Sequence, residues 1–165
     1  MITVGNINDQ WITICELYNI TKKYHLLAEE LAGTNYIQPI LEQKHALDHI
    51  ISAYSHISQE EKAIESMNGA IDHLYRAFWD VADWLSLICR EGIYKVLKKK
   101  SIKAIDRKYP EYYSEVRLKL IDAPEEIAKL RLEKSNRIED VNSYCLILDK
   151  LVEYYKEIAK RFSRI

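Results

Sequence analysis

Glycine and proline are nearly missing from this sequence, with four and three residues among 165. β-Rich folds need both at their turns and helices avoid both, so the scarcity argues for helices. The glycines are also too dispersed to form a phosphate-cradling loop. Cysteine is sparse and odd in number: Cys15, Cys89 and Cys145 lie far apart and form no CxxC or related spacing. That excludes a disulfide framework and a thiolate metal knuckle, and the three read as reduced thiols buried on apolar helix faces. No apolar run approaches the roughly 18 residues of a membrane span, and Met1 is followed by neither a basic start nor an apolar stretch. A cytoplasmic location without a membrane partner is expected. Nothing resembles a nucleophile elbow or a Cys/His pair, so covalent catalysis finds no footing.

What remains is a folded protein's balance, with 48% hydrophobic and 30% charged residues, enough for a single domain over 1–165 with its own core. The first helix is expected from about Asp9 to Leu31, closed by Gly33, with Trp11, Ile14, Tyr18, Leu27 and Leu31 inward. The second runs from near Pro39 to about Ile57 on a stripe of Ile40, Leu47, Ile50, Tyr54 and Ile57. The third carries the strongest pattern: Ile64, Met67, Ile71, Leu74, Phe78, Val81, Leu85 and Ile88, three or four apart throughout. Alanines and Tyr75, Trp84 and Cys89 widen that stripe, so this helix is central. Gly92 is a point where it bends or breaks, and Asp122-Ala123-Pro124 interrupts a later segment. After Pro124 no glycine or proline recurs, and one long helix over 125–163 is expected, with a restart at Ser135 or Asn136 as the alternative. The fold class is all-α: an antiparallel up-down bundle of four main helices with a short helical insert around 100–121.

The net charge of −1 conceals two unlike halves. Residues 1–90 carry 6 Lys/Arg against 12 Asp/Glu, and residues 91–165 carry 18 against 13. Opposite halves favour contact within a chain or between copies. The basic half concentrates Lys95, Lys98, Lys99, Lys100, Lys103, Arg107 and Lys108, with tyrosines interleaved through 94–119. Cations with aromatics bind phosphates and stack bases, so this segment is the candidate nucleic-acid face.

A local echo joins the second and third helices: Ala-Leu-Asp-His at 46–49 and Ala-Ile-Asp-His at 70–73. Packing accounts for the apolar matches but not for the Asp-His pairs, which lie off both stripes. On the second helix, Glu42, His45, His49, Ser52 and His56 stand three or four apart and share a side. His45 and His49 are one turn apart and can chelate a transition metal, and Glu42 can add an oxygen. A hairpin turning near Ser58 brings His73 level with Glu42 and His45. The candidate metal ligands are therefore Glu42, His45, His49 and His73. The carboxylate-bundle metalloproteins repeat Glu-x-x-His on a second helix, and this chain does not. The mark of the helical HEPN nucleases, an arginine shortly before a histidine, is also missing, because Arg76 follows His73.

Trp79 falls on the polar side of the third helix, where only a neighbouring element or a second copy would cover it. These features favour a non-catalytic helical interaction module that self-associates or docks on a partner protein, as a homo-oligomer with Trp79 in the contact. The alternative is a nucleic-acid-binding protein using the basic 94–119 face. A metal-dependent or His-based enzyme is third. No cofactor is expected.

Overall fold

A computed structural model describes residues 7–132 and 137–162. Among them there are six α-helices and no strand: α1 (Asn8–Ala32), α2 (Gln38–Ser55), α3 (Glu60–Leu97), α4 (Ile102–Lys108), α5 (Arg117–Leu132) and α6 (Ile138–Phe162). A π-helical turn at Tyr112–Val116 leads into α5. The all-α class is as the composition implies. The helices divide between two compact units, Met1–Trp84 and Leu85–Ile165, with the boundary inside α3.

The first unit is an antiparallel succession of α1, α2 and the first part of α3. Trp11 near the start of α1 bonds to Tyr54 near the end of α2, and Glu42 near the start of α2 meets His73 well along α3. Gly33 closes α1 in the left-handed region (φ 65°), its N–H bonded to the Glu29 carbonyl. In α3, Met67, Ala70, Leu74, Ala77, Phe78 and Val81 are buried, as the stripe predicts. The other two helices depart from expectation. The inward residues of α1 are Ile14, Leu17, Thr21, Tyr24, His25 and Ala28, while Tyr18 is exposed. In α2 the buried residues are Pro39, Ala46 and Ala53, one heptad apart. Ile40, Leu47 and Tyr54, expected inward, are exposed. Alanine lets helix backbones approach closely, and the rotation that turns Ala46 and Ala53 inward swings the larger side chains out.

The second unit contains the end of α3, the short elements to Val116, and α5 and α6. Ile93, Leu97, Ile105, Tyr109, Val116, Ile158 and Phe162 form its core. In α6 the sequence spaces Val141, Tyr144, Leu148, Leu151, Tyr155, Ile158 and Phe162 three or four apart, and all but the half-buried Tyr155 are buried. Helix α3 does not break at Gly92. A Cβ there would overlap the ring of Tyr155, so the glycine admits α6 rather than ending α3. The single helix over 125–163 is overturned. Helix α5 runs through Pro124 to Leu132, and α6 starts at Ile138. The two lie side by side, with Lys119, Ala123 and Glu126 of α5 and Leu146, Lys150 and Tyr154 of α6 lining one groove. One continuous helix could not line a groove with itself in this way. The insert expected at 100–121 is thus α4, the π turn and the opening of a fifth substantial helix. Ser135 and Asn136 lie outside the described residues.

Candidate functional site

The antiparallel course of α2 and α3 sets residues with a constant index sum opposite each other. Ser52 faces Ser66 at 3.3 Å between hydroxyls, and His49 faces Gly69. By the same register His45 faces His73, with ring centroids 5.2 Å apart. The His49 ring is also 5.2 Å from that of His73. The two histidines of the sequence echo therefore meet across the helix pair. Gly69 creates the room: a Cβ at that position would come within 2.7 Å of the His49 imidazole. His45, Asp48, His49, Ser52 and His73 line one open cleft.

Glu42 stands three residues before His45 on α2 and reaches His73. Its Oε2 lies 2.8 Å from His73 Nδ1 and 3.4 Å from Arg76 Nε, and Gln38 donates to its Oε1 at 3.2 Å. Burial pushes its carboxyl up. The His73 bond, Arg76, the charge of His73 and Gln38 together outweigh burial and hold it below the usual range. One donor atom from each of Glu42, His45 and His73 lies within 4.8 Å of the other two. His56 does not join the cluster; its Nδ1 is 2.9 Å from the Ser52 carbonyl. The sequence pointed to Glu42, His45, His49 and His73 but gave no hint of Arg76 beside the carboxylate or of Gly69 beneath the ring.

The basic residues are dispersed over three elements. Lys95 pairs with Glu91 in the last turns of α3. Lys98 lies over the Tyr94 ring, and Lys99 and Lys100 follow in the turn. Lys103, Arg107 and Lys108 are on α4, where Lys108 donates to the Arg161 carbonyl. A groove in this unit gathers a different set: Arg90, Lys98 and Arg117 around Tyr94, Tyr112, Leu97 and Ile121. Lys98, Arg117, Tyr94 and Tyr112 fall within the expected 94–119 segment, whereas Arg90 does not.

Trp79 is 2% exposed and packs edge-on against Phe78. The chain itself covers the ring, so a second copy is not needed there, and the expectation of Trp79 in an interface is corrected. The cysteines also differ from expectation, since only Cys89 is buried, Cys145 is half-buried and Cys15 is exposed. Burial pushes the Cys89 thiol up to about 12 against the opposing pull of Lys156, and a thiol so held is inert at neutral pH.

On the opposite side of α2 from the histidines, Trp11, Ile14, Cys15 and Tyr18 of α1 line a groove with Gln43, Ala46, Leu47 and Ile50 of α2. Beyond it Ile40, Leu47, Ile51 and Tyr54 are exposed along α2, with Leu47 at 53% and Ile51 at 57%. No described helix is long and apolar enough to cross a membrane. Comparison with protein-family models, with curated proteins and with solved structures finds no match to this chain.

Proposed function

We propose that this protein is an interaction module whose α1–α2 face pairs with a second copy of the chain. The supporting observation is the row Ile40, Leu47 and Tyr54, one heptad apart and exposed, with Ile51 beside it. Seven-residue spacing of large apolar side chains is the pattern of a helix seam, and a seam is self-complementary about a two-fold axis. Lys44 and Asp48, an ion pair at 3.5 Å, flank the row with both signs of charge. Exposed apolar clusters of this kind mark contact surfaces in soluble proteins.

Sedimentation of untagged protein at micromolar concentration is expected to give a dimer. Leu47→Glu and Ile51→Glu, both at exposed positions, should each yield monomers of unchanged helicity. Cys15, which lines the adjoining groove, should be alkylated more slowly as protein concentration rises. A wild-type monomer at that concentration overturns the reading.

A second reading, nucleic-acid binding by the basic unit, is supported by the groove of Arg90, Lys98 and Arg117 beside Tyr94 and Tyr112. Tyr94 is an exposed ring with a lysine over it, a geometry suited to base stacking next to a phosphate.

A further inference from the structure

We infer that Glu42, His45 and His73 bind one divalent transition-metal ion of the zinc or nickel class in the cleft between α2 and α3. Two imidazoles and one carboxylate form the donor set, which suits these borderline ions rather than magnesium or calcium. Their donor atoms already cluster within 4.8 Å. Ligands on a zinc ion stand about 3.3 Å apart, given bonds near 2.0–2.1 Å, so closing the site asks only for side-chain rotation. His45 is exposed and free to supply that rotation, while His73 and Glu42 are half-buried and already aligned.

The elements carrying the ligands are regular helices, which fixes the site better than loops would. Glu42 and His45 lie three apart on α2, and the antiparallel register delivers His73 from α3. His49, seated over Gly69, packs beside His73 and restricts the swing of its ring. Asp48, ion-paired with Lys44, lines the cleft without entering the donor cluster. Three protein ligands leave a fourth position open toward solvent, where water completes the shell.

Two contacts oppose the ion: the 2.8 Å Glu42–His73 hydrogen bond, which must open, and Arg76. The Arg76 guanidinium sits 3.4 Å from the Glu42 oxygen, in the place of a bound cation. Its side chain is 57% exposed, so it can turn into solvent when the metal arrives. Removing that charge should strengthen binding, an effect opposite in sign to the loss of a ligand.

The test is titration of chelator-treated, untagged protein with zinc or nickel chloride, read by calorimetry and by the rise in melting temperature. One ion per chain is expected, with no response to magnesium. His73→Ala, His45→Ala and the isosteric Glu42→Gln should each weaken binding by roughly tenfold or more, with helicity checked by circular dichroism. His56→Ala should bind as the wild type does, and Arg76→Ala should bind more tightly. Cobalt should give the intense visible absorption of a four-coordinate site. Failure of wild-type protein to bind zinc or nickel overturns the inference. So does zinc binding that survives intact in both His73→Ala and Glu42→Gln, which would move the ion elsewhere.

Discussion

The two units solve the same packing problem with opposite choices of residue. In the second, large apolar side chains meet in the core, and the α6 stripe from Val141 to Phe162 is buried where periodicity puts it. In the first, α2 turns its small residues inward, Ala46 and Ala53, and leaves Leu47, Ile51 and Tyr54 outside. The second unit thus spends its large side chains on its core, and the first leaves an apolar flank outside on α2. The same rotation of α2 directs Glu42, His45 and His49 at α3. A helix that buried Leu47 instead would turn its histidines elsewhere, so the outward apolar row and the histidine cleft are two results of one orientation.

The largest expected effect tests how far the first unit still depends on a large core residue. Phe78 is fully buried in α3. Phe78→Ala should cost about 3–5 kcal/mol in chemical denaturation, the usual range for emptying an aromatic site. A loss below about 1 kcal/mol would show that the alanine-lined packing alone sustains the unit.

A smaller effect probes the polar tie in the second unit. Buried Tyr109 donates to Glu157 at 2.6 Å, and Arg161 lies over the Tyr109 ring while bonding the same carboxylate. Tyr109→Phe should cost about 1.5 kcal/mol, the low end for a hydrogen bond to a charged group because Glu157 is partly exposed. The bond from Tyr109, then Arg161, holds the Glu157 carboxyl below its ordinary value. Stability from a carboxylate depressed on folding is present above the unfolded value and is lost as pH falls through the folded one. Acidification below about pH 4.5 should therefore destabilise the wild type more than Tyr109→Phe, which lacks the leading cause of the depression. Equal acid sensitivity in urea melts at several pH values would break the assignment.

The smallest effect separates the surfaces of the units. If the basic unit binds nucleic acid, replacing Lys98, Lys99 and Lys100 together by glutamine should lower the slope of log affinity against log salt by roughly 2–3, because each lost phosphate contact releases about one fewer counterion. No binding to single- or double-stranded nucleic acid at low salt would remove the nucleic-acid reading of the basic unit.

The sequence was legible wherever the buried stripe consisted of large apolar residues. That holds for α3 and α6. It failed in α1 because the inward row runs through Thr21, Tyr24 and His25, which an apolar count passes over in favour of Trp11 and Tyr18. His25 is accommodated there by a 3.1 Å contact with the Tyr36 carbonyl, a partner eleven residues away that no periodicity reveals. In α2 it failed because alanine is too weak a hydrophobic signal to outvote leucine and isoleucine. Pro124 misled in the other direction: a proline inside a helix is costly but does not forbid it. The histidine cluster was readable from spacing on α2 and from the hairpin register. Gly69 was not, because its role depends on a ring approaching from another helix.

Gly92 admits a related approach in the second unit, where the Tyr155 ring lies against α3 in the space a methyl group would fill. The fit works as a keyway. Sliding α6 by one turn along α3 would bring that ring against Ile88 or Val96, where side chains occupy the surface. Heptad-spaced apolar residues tolerate such slippage, since each position resembles the one seven residues on. A single notch does not, and so one glycine removes the alternative registers that the rest of the interface would accept.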